Sequence, residues 1–128
     1  MTVILGFDFG LKRTGVAIAK DNIAEPLATL DADALESNIN NLIEKYHPAE
    51  LVVGIPRNLE GEDTAQTKLA RQFGENLART SGLPVKYQDE ALSSERALQR
   101  IGQNTPIATR KKMLDQISAQ IILEDYLK

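Results

Sequence analysis

An aspartate interrupts an apolar run near the start of this sequence. Asp8 lies within residues Val3–Phe9, whose composition is typical of a strand that is buried on both faces. Its neighbours on the same face of such a strand are Gly6 and Gly10, which predict open space in which a metal ion or a phosphate could approach the carboxylate. The structural alternative is a strand-end aspartate that makes a turn. Either way, a buried carboxylate needs a cation or a hydrogen-bond donor beside it.

A second candidate, Asp115, lies in a long predicted helix. Winding that helix at about 100° per residue puts Asp115 on the same face as Ala119 and Ile122. This face should pack on a sheet, so the carboxylate should point towards the protein body. The structural alternative is that Lys111, one turn earlier, neutralises Asp115.

The third acidic feature is the pair Asp89–Glu90. It follows a predicted strand that begins at Val85, and the ends of parallel strands are where such sheets place their binding crevices. Adjacent residues of an extended chain face opposite ways, so only one of the pair should enter a site. Glu90 has the longer reach, whereas Asp89 shares the face of Val85. Strand alternation does not choose between them.

Together these residues predict an oxygen-rich metal site. Three carboxylates on separate elements, in a chain with one histidine and no cysteine, favour a hard cation such as Mg²⁺ or Mn²⁺. Two such ions could activate water and stabilise the leaving oxygen of a phosphodiester. Basic and polar side chains in nearby loops could hold the backbone phosphates. These candidates are Lys12, Arg13, Arg57, Asn58 and Lys111. The structural alternatives are a basic hairpin tip and a solvated helix end.

The elements that position these residues follow from the spacing of apolar residues. Strands are predicted at 3–9, 15–20, 51–55 and 85–89, with an edge strand at 24–30 because Pro26 disfavours a central position. Helices are predicted at 33–46, from a cap at Asp63 or Thr64 to about 80, from a cap at Ser93 or Ser94 to about 101, and at 108–127. A loop is expected at 102–106. This order predicts an α/β fold with a mixed sheet covered by helices.

Length and composition narrow the class of protein. The chain has 128 residues, which predicts a single domain over 1–128. Fifteen basic and 18 acidic residues give a net charge of −3, so any contact with nucleic acid must come from a local basic patch. No signal peptide or membrane-spanning segment is expected. The absence of cysteine fits a reducing cytoplasm.

Four segments of the chain form a recognisable set: Asp8–Gly15, Gly54–Gly61, Asp89–Glu90, and Asp115 followed by Ile121–Leu127. Together they resemble the YqgF/RuvX family of bacteria, over essentially the whole chain and in the right order. The resemblance implies an RNase H-like fold with a five-stranded sheet, related to Holliday-junction resolvases. It also implies a nuclease that matures the 5′ end of pre-16S ribosomal RNA, with resolution of DNA four-way junctions as the alternative.

The family's acidic site would carry over to Asp8, Glu90 and Asp115, as catalytic and metal-binding residues. The resemblance, and not the spacing, favours Glu90 over Asp89. One departure is Ala91, where the family usually has an arginine, so a nearby cation such as Arg96 would have to replace it. The implied partner is RNA or branched DNA, with no membrane, and the protein would be a monomer or a weak homodimer.

Two other classes of protein remain as alternatives. An ATP-binding domain of the actin, Hsp70 and sugar-kinase type also has an Asp-x-Gly turn after its first strand. That fold needs two such domains, for which 128 residues are too few. A non-catalytic RNA-binding module for ribosome assembly, built on a degenerate RNase H fold, is the second alternative. Loss of metal dependence would favour it.

Overall fold

A computed structural model describes residues 2–90, 93–101 and 105–128 of the chain. Within these residues the elements follow the order βββαβαβαα, which agrees with the predicted order and includes the predicted third strand. The strands are β1 (Val3–Asp8), β2 (Arg13–Lys20), β3 (Ile23–Asp31), β4 (Glu50–Ile55) and β5 (Val85–Asp89). The helices are α1 (Leu35–Tyr46), α2 (Ala65–Ser81), α3 (Ser93–Arg100) and α4 (Ile107–Leu127).

The five strands form one mixed sheet in the order β3-β2-β1-β4-β5. The first three strands pair in an antiparallel meander, whereas β4 runs parallel to both β1 and β5. The predicted central position of β1 and edge position of β3 are therefore confirmed. The carboxyl ends of the three parallel strands meet at one edge of the sheet, which is where α/β folds bind ligands. Asp8, Ile55 and Asp89 are the last residues of these strands.

Alternation along the strands divides the core between two faces of the sheet. On one face, side chains such as Leu5 and Phe7 pack with α1 and α2. On the other face, Ile4 and its neighbours pack with the apolar side of α4, including Ile122. Asp8 is two residues beyond Gly6 and four beyond Ile4, so it belongs to the face that α4 covers. The sheet thus directs this carboxylate towards the helix that carries Asp115.

The space beside Gly6 is used for packing and not for a ligand. A Cβ atom on Gly6 would lie 2.4 Å from Cγ of Leu123, so the side chain of Leu123 fills this position. The prediction that Gly6 leaves room around Asp8 is therefore wrong. The glycine instead lets α4 approach the sheet closely, which is a common reason for a glycine within a strand.

Helix ends agree with the sequence where the structure describes them. Thr64, one of the two predicted caps, begins α2 with a capping box in which its side chain accepts from the amide of Thr67. α3 begins at Ser93, but the side chains of Ser93 and Ser94, which carry its predicted cap, lie outside what the structure describes, as do residues 102–104 of the predicted loop at 102–106. None of the helices in the described part of the chain is both long and apolar enough to cross a membrane.

Candidate functional site

The carboxyl groups of Asp8 and Glu90 form a hydrogen-bonded pair at the carboxyl edge of the sheet. Asp8 retains some exposed surface as a residue, but burial of its carboxyl group is the largest of several effects that raise its pKa well above the usual value. The negative charge of Glu90, their hydrogen bond and the charge of Asp115 raise the pKa of Asp8 further.

Gly54 explains how Glu90 reaches Asp8. A Cβ atom on Gly54 would lie 2.9 Å from Cγ and 3.1 Å from Cδ of Glu90, so the glutamate side chain lies directly over this strand. The backbone amide of Glu90 donates to the carbonyl of Ile55 at 3.0 Å, which continues the β4–β5 pairing by one residue. Gly54 is not among the site residues that the sequence predicts. A lone glycine inside a buried strand was the available signal.

Asp115 comes to the same edge because α4 lies against β2 at Gly15. A Cβ atom on Gly15 would be 1.9 Å from the carbonyl oxygen of Asp115. Gly15 is also the residue that faces Asp8 across the β1–β2 ladder. The side chain of Asp115 accepts a hydrogen bond from Nε of Arg13 at 2.9 Å. Lys111 therefore does not hold Asp115, and the guanidinium of Arg13 does.

The three carboxylates fit a divalent cation in chemical type but are not arranged around one. Hard cations prefer oxygen ligands, and three acidic groups close enough to affect one another need positive charge nearby. Across residues 2–90, 93–101 and 105–128, however, no group of three acidic, histidine or cysteine side chains is assembled for metal binding. In this arrangement the third carboxylate, Asp115, is paired instead with the guanidinium of Arg13.

The pair Asp89–Glu90 divides as strand alternation requires. Glu90 lies on the α4 face with Asp8, whereas the Asp89 side chain is 67% exposed and accepts from Nε of Arg57 at 3.1 Å. Arg57 also pairs with Asp63, so its guanidinium ties the loop after β4 to the end of β5. Of the two acidic neighbours, Glu90 is the one that the fold brings to Asp8.

The predicted phosphate contacts differ in whether their side chains already have partners within the protein. The side-chain oxygen of Asn58 accepts from the amides of Glu60 and Glu62, so Asn58 holds its own loop in shape. Lys12 and Lys111 are both exposed. Among the five predicted contacts, the structure thus gives internal partners to Arg13, Arg57 and Asn58.

The arginine suggested as a replacement for the family residue at position 91 points elsewhere. Arg96 makes a two-pronged ion pair with Asp125, at 2.8 and 3.1 Å, which joins α3 to the end of α4. Ala91 itself lies outside the described residues. The contacts that the structure gives Arg96 therefore join α3 to α4.

Comparison with known proteins identifies the family. The family model for RuvX, described as Holliday junction resolvase, matches residues 2–128. The chain belongs to the RuvX family. A relative from Methylobacillus flagellatus is 45% identical over 96% of this chain and 88% of its own length. Another from Dechloromonas aromatica is 40% identical over 100% of this chain and 92% of its own. Both relatives carry the name "Putative pre-16S rRNA nuclease".

Solved structures agree on the fold. The RuvC protein of Thermus thermophilus, in complex with a Holliday junction substrate, matches with a TM-score of 0.62 and 16% identity over 98% of this chain and 94% of the other. The yeast mitochondrial Holliday junction resolvase Ydc2 matches with a TM-score of 0.53 and 12% identity over 97% and 77%. The expected family, the RNase H-like sheet and membership of a nuclease class that cleaves phosphodiester bonds are confirmed.

Proposed function

We propose that this chain is a metal-dependent endonuclease that processes the 5′ end of pre-16S ribosomal RNA. The observation that carries the proposal is the Asp8–Glu90 carboxyl pair at the carboxyl edge of the sheet, with Asp115 close enough to affect it. Relatives with 39–45% identity that bear a pre-16S rRNA nuclease name support the choice of substrate. Ribosomal RNA processing would place the protein in the cytoplasm.

Each carboxylate has a role that follows from its position. Asp8 ends the central strand and its carboxyl group is buried, so it would be the principal ligand of the cation. Glu90, whose side chain lies over Gly54, would be a second ligand. Asp115 would complete the set once its side chain turns away from Arg13. Mg²⁺ or Mn²⁺ would supply charge stabilisation and activation of water at the phosphodiester.

The chain's own residues would also place the nucleic-acid backbone. Lys12 and Lys111 are exposed cations on the loop after β1 and on the first turns of α4, which flank the carboxylates. They would contact phosphates and therefore bind without regard to base sequence. Arg13 and Arg57 could add contacts if they exchanged their present carboxylate partners for phosphates. Asn58 would shape the loop that carries Arg57.

Resolution of DNA four-way junctions is the second candidate function. The description of the matching family model favours it. A junction has two strands to cut symmetrically, so this activity would require a dimer, whereas RNA processing would suit a monomer or a weak homodimer. A third possibility, a non-catalytic RNA-binding module, would keep RNA affinity without a metal requirement.

A cleavage assay with two substrates tests these candidates. Purified protein would be incubated with a pre-16S RNA fragment that spans the 5′ processing site and with a synthetic four-way junction, in Mg²⁺, Mn²⁺ or EDTA. We expect the RNA to be cut in either metal and left intact in EDTA. An Asp8→Asn protein, prepared in parallel, would exclude a contaminating nuclease.

The outcomes distinguish the candidates. Cleavage of the junction alone, by a protein that sediments as a dimer, would replace the RNA proposal with the second candidate. RNA binding that is equal in metal and EDTA, without cleavage of either substrate, would favour the non-catalytic module. Cleavage that persists in EDTA would contradict a metal-dependent mechanism.

A further inference from the structure

Arg13 and Asp115 are joined across the edge of the acidic site by a partly exposed ion pair. Nε of Arg13 lies 2.9 Å from Oδ2 of Asp115, and the two side chains are 37% and 21% exposed. Water and ligands can therefore reach the guanidinium. Exposed pairs of this kind contribute little to folding stability, so the pair can be exchanged at low cost.

The backbone that carries Asp115 is fixed independently of this ion pair. Gly15 lets α4 contact β2 at the carbonyl of Asp115. One turn earlier, the hydroxyl of Thr29 donates to the carbonyl of Lys112 at 2.6 Å. The first turns of α4 are thus held by both β2 and β3. If Asp115 left Arg13, only its side chain would need to rotate.

A cation at Asp8 and Glu90 would compete with Arg13 for this carboxylate. Asp115 lies at the same edge as Asp8, because α4 contacts β2 at Gly15, which pairs with Asp8 across the β1–β2 ladder. If a divalent ion took Asp115 as a ligand while Arg13 stayed in place, the ion and the guanidinium would share one carboxylate. The two positive charges would then repel each other. Full metal ligation and the Arg13 ion pair therefore oppose each other.

We propose that Arg13 is a positioning residue that withholds Asp115 from the cation until a backbone phosphate takes the guanidinium. This inference rests on the proposed metal site and adds a means of regulating it. The chemistry of the exchange is simple, because guanidinium groups bind phosphate as readily as they bind carboxylate. Binding of the phosphodiester backbone and of the cation would then be positively coupled, and each would strengthen the other by the same factor.

Metal affinity in the absence of nucleic acid provides the first test. Mn²⁺ would be titrated into the metal-free parent, Arg13→Gln, Arg13→Lys and Lys12→Gln proteins, with free Mn²⁺ measured by electron paramagnetic resonance. We expect Arg13→Gln to bind Mn²⁺ about fivefold more tightly than the parent, which corresponds to about 1 kcal/mol. Lys12→Gln removes an equal charge one residue away and should change the affinity by less than about twofold. Arg13→Lys restores a cation and should return the affinity towards that of the parent.

A double variant separates the proposed competition from a general charge effect. In an Asp115→Asn background the carboxylate that Arg13 withholds is gone, so Arg13→Gln should no longer tighten Mn²⁺ binding. Circular dichroism would establish that each protein is folded. If Arg13→Gln failed to fold, Arg13→Lys and the parent would be compared instead, with weaker Mn²⁺ binding by the parent expected, since its planar guanidinium holds the carboxylate better than an ammonium does.

The coupling itself is measured from the nucleic-acid side. The affinity for a fluorescently labelled RNA hairpin would be determined in EDTA and in Ca²⁺, with a gel to establish that the RNA stays intact. The parent should gain more affinity from Ca²⁺ than Arg13→Gln does. If the parent binds Mn²⁺ and Arg13→Gln binds it with the same affinity, this inference is wrong but the proposed metal site stands. Absence of Mn²⁺ binding to every variant would overturn the proposed metal site and the inference with it.

Discussion

The carboxyl group of Asp8, at the end of β1, hydrogen-bonds that of Glu90, which follows β5, although these two strands are not neighbours in the sheet. β4 lies between β1 and β5, and the glutamate side chain crosses it above Gly54. Because the two acidic groups lie so close together, ionising both of them at once is energetically unfavourable. A cation bound between the two groups would relieve this repulsion, which is the role that the proposed metal site gives the pair.

The first prediction concerns Asp8→Asn. We expect this variant to fold and to lose RNA cleavage by more than about 100-fold, since even indirect supports of a metal site are worth about 10–100-fold. In EDTA at pH 7 it should be more stable than the parent, because asparagine cannot repel Glu90 and Asp115. Asp21→Asn, at the opposite end of the sheet, is the matched control and should leave cleavage unchanged.

The pH dependence of that stability gain follows from the raised pKa of Asp8. The parent loses stability as the pH rises from the unfolded pKa of about 3.9 through the higher folded pKa. Over this range the folded state keeps Asp8 protonated, whereas the unfolded chain has already released that proton. Asp8→Asn does not titrate. Urea unfolding in EDTA should therefore show a gain at pH 7 that disappears at or below about pH 4. A loss of about 3–5 kcal/mol at pH 7 would mean instead that Asp8 belongs to a structural charge pair.

Much of this arrangement could be predicted from the sequence, and the failures have identifiable causes. Local patterns predicted the central strand that carries Asp8 and the helix face that carries Asp115. The pairing of Arg13 with Asp115 joins residues 102 positions apart, and no local pattern reports such a contact. Gly6 was misinterpreted because a glycine shows that something approaches closely but does not show whether it is a ligand or, as here, Leu123.

The choice between Asp89 and Glu90 shows the same limit in another form. Strand alternation predicted that the two side chains diverge, and they do. Which of them faces the site depends on which face of β5 the last helix covers, and that is a property of the whole fold. The resemblance to the family favours Glu90, and the fold places Glu90 beside Asp8.

The second prediction is that Gly15→Ala displaces α4. The new methyl group would lie within 1.9 Å of the carbonyl oxygen of Asp115, and a backbone atom cannot rotate away as a side chain can. We expect a loss of about 1–3 kcal/mol in unfolding free energy, together with loss of cleavage as Asp115 moves. Gly82→Ala, which strains a left-handed helix end remote from the site, should cost about 1 kcal/mol and leave cleavage intact. Equal effects of the two substitutions on cleavage would contradict this account.

The third prediction concerns the ion pair between Arg96 and Asp125. The hydrogen bond from Arg96, with a smaller contribution from Lys128, lowers the pKa of Asp125. The ion pair thus stabilises the folded protein at pH values above the unfolded pKa of about 3.9, and this stabilisation is lost as the pH falls through the lower folded pKa of Asp125. A double-mutant cycle of Arg96→Gln and Asp125→Asn should give a coupling of about 0.5–1 kcal/mol at pH 7, since the pair is partly exposed. The coupling should shrink towards pH 3, and a coupling that is constant between pH 7 and pH 3 would show that ionisation of Asp125 is not its source.

The fourth prediction tests Lys12 as a contact to the phosphate backbone. Lys12 is exposed on the loop after β1, and a net charge of −3 makes each local cation important for binding a polyanion. Lys12→Ala should weaken binding to RNAs of unrelated sequence by the same factor and should reduce the slope of log affinity against log salt by about one. Lys20→Ala, at the far end of β2, removes the same charge and should leave the slope unchanged. The affinity would be measured by fluorescence anisotropy at about 50 to 200 mM salt, a range over which affinity for a polyanion falls steeply. An unchanged slope for Lys12→Ala would move the nucleic-acid interface away from this loop and towards the first turns of α4, where Lys111 would be the next residue to replace.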